Sequence, residues 1–425
     1  MIDINLIRNS PDLVKQNLKK RFQENKMAWV DEIIKGYSEA LKLKKEIEEL
    51  RRKRNIISLE INKLKKEGKT ASNEIKEAKD LPLKISELEE KQVKLKEKIN
   101  HYMLRIPNIL EAKVPIGEDA SKNKEIKREG KPVKPKFELK NHVELAESLN
   151  VADFEAGRNN AGQGFNYLLG DLALLDLALQ RYGIDFLLKQ KFKVVIPPMM
   201  LNKLTLAGAV DLEAFEQVIY KVEDEDLYMI GTAEHSLVSL MKNKSINDKD
   251  LPIKICAVTP CFRKEIGGHG VDMKGLFRMH QFNKVEQVIY CKPEDSLKYL
   301  KYTQELTEKF FKSLKIPFRV IEICSGDLGG KFAKQYDIEA WFPRQNEYKE
   351  VTSAGSCTDY QARRLNIKLL RDGKKEKEYV HILNNTMVAT SRAMVAILEN
   401  YQQKDGSVKI PLVLQKYMNE KKIIK

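Results

Sequence analysis

Two stretches in the first quarter of the chain repeat apolar residues at alternating steps of three and four. The first is Asp31–Glu67, which contains no proline and a single glycine, and the second runs from Ile85 to Tyr102 after the break at Gly68-Lys69-Thr70. Such spacing is the seam of a coiled coil and predicts two antiparallel helices joined by a short turn. At about 1.5 Å per residue the first helix is about 55 Å long. A two-helix hairpin has little core of its own, so the remaining residues must form a larger body from which it projects.

The hairpin is flanked by a short helical segment and by a polar connection. Ser10 and Pro11 suit the N-cap and the first position of one helix within Met1–Phe22. Proline and glycine recur among many charges from Arg105 to Pro135, which is typical of a linker. We therefore predict a helical unit over residues 1–112, a linker over residues 113–136 and a larger body over residues 137–425.

The composition of the chain indicates which kind of partner it binds and in which compartment it resides. The 425 residues carry a formal net charge of +15, which favours a polyanionic partner, and the densest basic cluster of the hairpin is Arg51–Arg54. An ordinary solvated or dimerising coiled coil is the competing interpretation of this hairpin.

The five cysteines are scattered without a CxxC pair, so we predict neither disulfides nor a cysteine-rich zinc site. The same pattern predicts a reducing, cytoplasmic compartment. No run of about 18 apolar residues is present, so no membrane span is predicted.

The stretch Cys261–Glu286 is interpreted as two strands joined by a glycine-rich loop. We predict strands over Lys254–Glu265 and Leu276–Tyr290, and between them the glycines Gly267, Gly268, Gly270 and Gly275. Because strand side chains alternate between faces, one face of this pair is expected to carry Arg263, Glu265, Arg278, His280, Phe282, Lys284 and Glu286. Unpaired charges lose their hydration when buried, so this surface suits a ligand with a phosphate, an aromatic ring and an amine. A solvated, salt-bridged sheet face is the alternative.

Near the C-terminus, His381–Gln402 is interpreted as a helix that is apolar almost all round, with Asn384-Asn385-Thr386 at its start. Arg392 shares a face with Glu399 but lies about 10 Å from it along the axis, so the two are not expected to pair. A largely buried guanidinium needs an anion from outside its own helix, which favours a bound phosphate. A structural arginine paired across the core is the alternative.

These segments resemble the signature motifs of class II aminoacyl-tRNA synthetases and, within that class, the seryl-tRNA synthetases. The stretch FRKE, followed by GLFRMHQFNKVEQ, resembles the second class II motif. The stretch HILNNTMVATSRAMVAILENYQ resembles the third. The first class II motif consists of a helix, a strand and a proline. It is resembled here by the predicted helix Leu168–Gln190, the predicted strand Phe192–Ile196 and Pro197-Pro198. The N-terminal MIDINLIRNSPDLVKQNLKKR and the hairpin resemble the N-terminal region of the seryl enzymes. Asn385-Thr386, where many bacterial members have Gly-Ser, is closer to the archaeal and eukaryotic cytosolic branch.

The resemblance implies both a fold and an activity. The expected fold is α+β: an N-terminal antiparallel helical hairpin, the coiled-coil arm, followed by a class II catalytic domain with an antiparallel sheet flanked by helices. The expected activity is the ATP-dependent attachment of L-serine to tRNA(Ser) through a seryl-adenylate, with Mg²⁺ and without zinc. A cytoplasmic homodimer is expected, with the first motif at the dimer interface and no membrane partner. Selenocysteine tRNA, tRNA(Sec), is left open as a second substrate.

The resemblance also assigns residues to roles. The catalytic set is Arg263, Glu265 and Arg392. The ATP-binding set is Arg263, Lys264, Glu265, Arg278, Met279, His280, Gln281, Phe282, Glu350, Val351, Thr352, Ser353 and Arg392, of which Glu350 and Ser353 would also hold Mg²⁺. The serine-binding set is Thr232, Ala233, Glu234, Arg263, Glu286, Asn384 and Thr386. The tRNA-binding set is Arg51, Arg52, Lys53 and Arg54.

Three alternatives compete with a seryl-tRNA synthetase. Another class II enzyme, specific for proline or threonine, is disfavoured by the arm together with Glu286 and Thr386. An amino-acid:carrier-protein ligase is disfavoured because the seryl-like ligases lack this arm. A catalytically inactive RNA-binding paralogue is disfavoured because the charged residues of the motifs, Arg263, Glu265, Glu286, Glu350 and Arg392, are all present.

Overall fold

In a computed structural model of the protein, the described residues are 1–210, 217–265, 275–373 and 378–425. The predicted loop glycines Gly267, Gly268 and Gly270 lie outside these ranges. The chain divides into two compact units, Ile2–Ile106 and Pro107–Lys425, and Met1 is grouped with the second. The division falls a few residues before the boundary predicted at residue 112. No helix within the described ranges is long and apolar enough to cross a membrane.

The smaller unit consists of helices. Their bounds are Ile4–Asn9, Pro11–Lys20, Met27–Lys66 and Ser72–Met103. The N-terminal segment, predicted as one helix, is therefore two. Pro11 occupies the first position of the second helix as predicted, but the Ser10 side chain makes no capping hydrogen bond.

The two long helices form the predicted hairpin. Residues of the predicted seam pack together between them, with Ile47, Ile85 and Leu88 buried against Leu43 and Leu50. Ion pairs across the hairpin join residue 32 to residue 98 and residue 53 to residue 77, so the helices are antiparallel. Exposed ion pairs of this kind contribute little, so the buried apolar seam supplies most of the stability.

The larger unit contains a mixed set of strands. They are β1 (Lys124–Glu129), β2 (Ala152–Asp153), β3 (Tyr167–Leu168), β4 (Lys193–Val194), β5 (Met200–Leu201), β6 (Tyr228–Met229), β7 (Ser245–Asn247), β8 (Ile253–Phe262), β9 (Gln281–Cys291), β10 (Phe318–Glu322), β11 (Lys334–Phe342), β12 (Glu347–Ser356), β13 (Lys368–Leu370), β14 (Glu378–Tyr379), β15 (His381–Ala389), β16 (Val408–Lys409) and β17 (Ile423–Ile424). Its α-helices are His142–Ser148, Phe154–Ala161, Gly170–Lys189, Lys203–Ala209, Ala233–Ser239, Ser296–Ser313, Tyr360–Leu365, Thr390–Tyr401 and Leu412–Gln415.

Eight of these strands form one sheet in the order β1-β10-β11-β12-β15-β9-β8-β4. Neighbouring strands are antiparallel except for β4 and β8, which are parallel. The sheet packs against helices that include Gly170–Lys189, Ser296–Ser313 and Thr390–Tyr401. The predicted fold class, a helical hairpin followed by an antiparallel sheet flanked by helices, is confirmed.

Alternation along β9 divides its side chains between two environments. Val285, Ile289 and Cys291 belong to the main core that contains the long helices. Phe282 and Glu286 have the opposite parity and line a cavity. A single central strand therefore contributes both to the core and to the site, because its successive side chains point to opposite faces.

Three predicted element boundaries were wrong. The first strand of the site ends at Phe262 and its partner begins at Gln281, so Arg263, Glu265 and Arg278 follow or precede the strands. The segment predicted as one helix over His381–Gln402 is a strand to Ala389 and a helix from Thr390. That strand pairs on both sides and is buried almost throughout, and an apolar run of this kind cannot be distinguished from a helix by periodicity.

The predicted linker is also partly wrong. Residues 124–129 within it form β1, which pairs with β10 at the edge of the sheet. Most of this strand is exposed, as expected for the charged sequence Lys-Glu-Ile-Lys-Arg-Glu. Charged, solvated strands are common at sheet edges, and their composition resembles that of a loop.

Candidate functional site

A cavity of about 420 Å³ lies in the larger unit, beside the ends of β8 and β9 and against β12 and β15. Most of the predicted ATP-binding and serine-binding residues line it. They are Thr232, Glu234, Arg263, Glu265, Arg278, Met279, Phe282, Glu286, Glu350, Val351, Thr352, Ser353, Asn384, Thr386 and Arg392. Residues separated by more than a hundred positions in the sequence therefore meet at one site.

Four predicted site residues do not line the cavity: Ala233, Lys264, His280 and Gln281. The His280 ring stacks on Phe165, with ring centroids 5.1 Å apart, and its Nδ1 is hydrogen-bonded to the hydroxyl of Tyr220. The Lys264 ammonium lies 5.9 Å from the centroid of the same tyrosine ring. These two side chains therefore belong to an aromatic cluster beside the cavity.

Arg263 is held at the end of β8 by backbone contacts. Its backbone N–H donates to the carbonyl of His280 (2.9 Å), and its Nε donates to the carbonyl of Gly231 (3.0 Å). The guanidinium carbon lies 5.5 Å from the centroid of the Phe282 ring. Cations at this distance from an aromatic ring are attracted by its π electrons. Within the described residues, the terminal nitrogens of Arg263 form no hydrogen bond, so they can bind an anion in the cavity.

Glu265 and Arg278 also remain together, although neither lies in a strand. Arg278 Nε and Glu265 Oε2 are 3.9 Å apart. Glu265 has a φ of 43°, in the left-handed region, where a residue with a side chain is strained by about 1 kcal/mol. Strained backbone of this kind is concentrated at functional sites.

Glu286 is the most deeply buried carboxylate of the cavity, with 1 % of its side chain exposed. Its Oε2 is 2.6 Å from the Lys284 ammonium and accepts hydrogen bonds from the hydroxyls of Thr386 (3.2 Å) and Thr232 (3.4 Å). Burial raises the pKa of Glu286 above its usual value, although Lys284 opposes the shift. Within the described residues, Oε1 receives no hydrogen bond, so one acceptor is available to a ligand.

Glu234 lies at the start of the helix Ala233–Ser239, whose N-cap is Thr232. Its Oε1 is 2.6 Å from the ammonium of Lys331 and 2.8 Å from Nε2 of Gln361. Burial alone would raise the pKa of Glu234, but the charge and hydrogen bond of Lys331, together with His235 and the hydrogen bond from Gln361, hold it below its usual value. Sequence reasoning missed Lys331 and Gln361, because neither occupies a recognisable motif position.

Arg392 has a carboxylate partner, which comes from outside its own helix. Its Nη1 donates to the Glu350 carbonyl (2.9 Å) and lies 3.3 Å from the Glu350 carboxylate, and 24 % of its side chain is exposed. Its guanidinium carbon is also 5.2 Å from the ring centroid of Phe277. Glu399 pairs instead with Arg344, at 3.7 Å, so the prediction that it does not pair with Arg392 agrees with the structure.

Glu350 and Ser353 lie on β12 and offer a carboxylate and a hydroxyl, which are hard oxygen ligands that suit Mg²⁺. Asp337 faces Ser353 across β11 and β12. Burial and the charge of Glu350 raise the pKa of Asp337 to about 8. Within the described ranges, no group of three or more His, Cys, Asp or Glu residues could hold a metal ion. A magnesium ion here would therefore need phosphate oxygens or water as further ligands, which is its usual preference.

Models of protein families match both units of the chain. Residues 1–110 match the seryl-tRNA synthetase N-terminal domain, and residues 220–401 match the class II tRNA synthetase core domain (G, H, P, S and T). Among curated relatives, the serine--tRNA ligase of Methanocella arvoryzae is 49% identical over 421 residues, covering 99% of both chains. That of Methanospirillum hungatei is 48% identical over 425 residues, covering 100% of both chains.

Solved structures give the same result. Seryl-tRNA synthetase from Pyrococcus horikoshii complexed with ATP has a TM-score of 0.91 and 45% identity, covering 100% of this chain and 99% of that chain. Cytoplasmic serine-tRNA ligase from Naegleria fowleri in complex with AMP has a TM-score of 0.85 and 34% identity, with the same coverage. Both comparisons extend through the two units of the chain.

Proposed function

The chain belongs to the seryl-tRNA synthetases, class II enzymes that ligate serine to tRNA, and from this premise we propose that it works through a seryl-adenylate formed in the cavity described above. The observation that carries the proposal is the meeting of Arg263, Phe282 and Glu286 with Arg392 at one cavity. One ligand can then contact all of these groups. The arginines are cations for phosphate, the Phe282 ring suits a base, and Glu286 is a buried acceptor for a small polar substrate.

Adenylate formation needs no nucleophile from the protein. The serine carboxylate attacks the α-phosphorus of ATP, a P–O bond to the β-phosphate breaks, and pyrophosphate leaves. The protein must align these groups and stabilise the charge that develops on the α-phosphate. Arg263 suits that task because the hydrogen bond from Nε to Gly231 fixes its guanidinium while the outer nitrogens stay available.

The remaining contacts to ATP are divided between two ends of the cavity. Phe282 stacks on the adenine, with Glu265 accepting from the adenine amine and Arg278 near the outer phosphates. Arg392 would hold the γ-phosphate, and Glu350 and Ser353 would hold Mg²⁺. When bound, Mg²⁺ neutralises phosphate charge and orients the phosphates. The Arg392–Glu350 ion pair supports this assignment, since it keeps a cation and a metal-binding carboxylate side by side.

The serine pocket consists of Thr232, Glu234, Glu286, Asn384 and Thr386. Serine is too small to be selected by apolar contacts, so the pocket must recognise its hydroxyl and its ammonium by hydrogen bonds. The free oxygen of Glu286, next to the Thr386 and Thr232 hydroxyls, supports a role as acceptor for the hydroxyl. A substrate that lacks the hydroxyl would leave these buried groups unpaired, which disfavours its binding strongly.

We further propose a homodimer formed through the helix Gly170–Lys189 and the edge strand β4. The helix leaves Leu177 and Leu188 exposed, and just after β4 the residue Ile196 is 93% exposed. Large apolar side chains gathered on one surface commonly mark a protein–protein interface. Sedimentation of the full chain tests the dimer.

The cytoplasm is the compartment we propose, and tRNA(Ser) is the proposed nucleic-acid substrate, bound along the helical hairpin. Selenocysteine tRNA is proposed as a second substrate. Charging purified tRNA(Ser) and tRNA(Sec) with labelled serine, next to a third tRNA, tests both assignments. Serine-dependent exchange of pyrophosphate into ATP tests the adenylate step separately, because it requires no tRNA.

Glu286→Gln is expected to raise the KM for serine by about 10- to 100-fold, the loss associated with a hydrogen bond to a charged group. The KM for ATP should change little, because no contact to ATP is assigned to Glu286. Pyrophosphate exchange at varied serine and varied ATP measures both constants. Equal changes in the two constants would remove Glu286 from the serine pocket.

Arg392→Ala is expected to raise the KM for ATP by about 10- to 100-fold, because a charge-assisted hydrogen bond to the γ-phosphate is removed. Arg344→Ala is the matched control, because Arg344 pairs with a carboxylate of the same helix but does not line the cavity. Exchange assays and thermal unfolding should be measured on both variants. A fall in melting temperature without a separate loss of ATP binding would make Arg392 a structural residue.

A further inference from the structure

The cavity contains two buried carboxylates, and each is paired with its own lysine. Glu286 pairs with Lys284, two residues away on β9. Glu234 pairs with Lys331, which comes from the segment between β10 and β11 and lies 2.6 Å from its Oε1. The exposed fractions of the Lys331 and Glu234 side chains are 13 % and 6 %. The second pair therefore joins two separate parts of the chain in the lining of the cavity.

Gln361 completes the contacts to Glu234. Its Nε2 donates to Glu234 Oε1 at 2.8 Å and to the carbonyl of Ala209 at 2.7 Å. Both donors to Glu234, Lys331 and Gln361, therefore reach the same oxygen. Within the described residues no hydrogen bond is formed to Glu234 Oε2, although Glu234 lines the cavity. The carboxylate is held by one oxygen and keeps the other free.

Packing alone does not explain this arrangement. A buried ion pair gains little over a well-packed apolar pair, because both charges lose their hydration. Burial would lower the pKa of Lys331, but the charge and hydrogen bond of Glu234, together with Cys357 and Glu286, raise that pKa above its usual value, so the lysine stays charged. Glu234 therefore keeps its negative charge beside the cavity at neutral pH, while the Lys331 ammonium is bound to Oε1, the oxygen opposite the free Oε2.

We propose that Lys331 and Gln361 are positioning residues for the amino-acid substrate, which hold Glu234 as an anion with Oε2 directed to accept the substrate's α-ammonium. This inference rests on the proposed function, in which the cavity binds serine. It assigns different tasks to the two carboxylates: Glu234 binds the cation, and Glu286, with its hydroxyl neighbours, binds the polar side chain. Because each carboxylate has its own lysine, the two pairs carry no net charge, and a zwitterionic substrate adds none.

Other groups near Glu234 do not supply this charge. His235, the next residue on the helix, is neutral, because burial lowers its pKa to about 3. Glu286 is a carboxylate, and its charge and that of Glu234 repel. Arg263 and Lys284 lie nearby, but Lys284 is already bound to Glu286 and Arg263 to the Gly231 carbonyl. Lys331 is therefore the cation that keeps Glu234 ionised.

Lys331→Met tests the proposal, since it removes the charge and keeps an unbranched side chain. Without the ammonium, buried Glu234 takes up a proton more readily, and a protonated carboxyl binds an ammonium poorly. The KM for serine should rise about tenfold or more near pH 6 and fall as the pH rises, since each unit of pKa shift corresponds to about a tenfold effect. The wild-type KM for serine should vary little over the same range, and the KM for ATP should stay constant in both proteins.

Lys334→Met is the matched control. Lys334 is also a buried lysine paired with a glutamate, Glu322, but it does not line the cavity. This variant should retain the wild-type KM for serine and the wild-type pH profile. Lys331→Arg, which keeps the charge, should retain a flat pH profile.

Gln361→Leu removes only a neutral donor and should raise the KM for serine without making it pH-dependent. If Lys331→Met does not fold, the Lys331→Arg and Gln361→Leu profiles decide the question: pH-dependent KM values in both would overturn the proposal, and flat ones would support it. A folded Lys331→Met that behaves as Lys334→Met would also overturn it. Failure of the proposed function is distinct, because the wild-type protein would then show no serine-dependent exchange at any pH.

Discussion

Arg263→Ala is expected to lower the rate of serine-dependent pyrophosphate exchange by about a thousandfold, equivalent to about 4 kcal/mol of transition-state stabilisation. The reason is that charge develops on the α-phosphate in the transition state, next to a guanidinium that is already fixed. Nε of Arg263 donates to the Gly231 carbonyl and the guanidinium stacks near Phe282, so little reorganisation is needed. The loss should therefore appear mainly in kcat, with smaller changes in KM.

Two further variants make this test specific. Lys264→Ala removes a neighbouring positive charge that lies beside Tyr220 and does not line the cavity, so exchange should stay near the wild-type rate. Arg263→Lys keeps the charge but has neither the Nε donor nor the planar fork, so it should recover only part of the activity. Equal losses in Arg263→Ala and Lys264→Ala would show that general electrostatics, and not a positioned guanidinium, is responsible.

The second large effect concerns the hairpin. Replacing Asp31–Tyr102 with a short flexible linker is expected to leave serine activation nearly unchanged, because the described residues that line the cavity all belong to the larger unit. Transfer of serine to tRNA should fall by about a hundredfold or more, which corresponds to a loss of about 2.8 kcal/mol of tRNA binding. Pyrophosphate exchange and tRNA charging, measured on the same preparation, separate the two steps.

The structure also indicates which arginines of the hairpin to change. Arg51 is paired with Glu89 at 2.6 Å and Lys53 is paired with Glu77, both across the hairpin. Within the described residues, Arg52 and Arg54 form no ion pair, so they are the better candidates for binding phosphates. Arg52→Gln with Arg54→Gln should weaken tRNA binding and reduce its salt dependence, by roughly one unit of slope for each phosphate that is no longer neutralised.

The matched control for these charges is Arg51→Gln with Glu89→Gln, which leaves the net charge of the hairpin unchanged. It should bind tRNA almost as the wild type does. If the chain without the hairpin charged tRNA as well as the full chain, the hairpin would be an ordinary solvated coiled coil, and the proposed tRNA-binding role would be withdrawn.

The sequence by itself determined the features that depend on short-range periodicity. The heptad steps of Asp31–Glu67 predicted a long helix, because apolar residues three and four apart lie on one side of a helix. Alternation along the second strand of the site predicted that Phe282 and Glu286 share a face, and both line the cavity. The motifs and their resemblance to a family supplied the activity, which the relatives confirm.

Only the tertiary structure decided which distant residues meet. Arg392 is paired with Glu350, 42 positions earlier, because β12 lies next to β15 in the sheet and the helix follows β15 directly. Lys331 reaches Glu234 across 97 positions, and no local pattern marks either residue as the partner of the other. Local pattern also failed to distinguish the strand His381–Ala389 from a helix. Burial on both faces, which removes its alternation, follows from its central place in the sheet. Periodicity indicates which side of one helix or strand is buried. Ion pairs between distant residues and the burial of a central strand depend instead on which elements are neighbours in the folded chain.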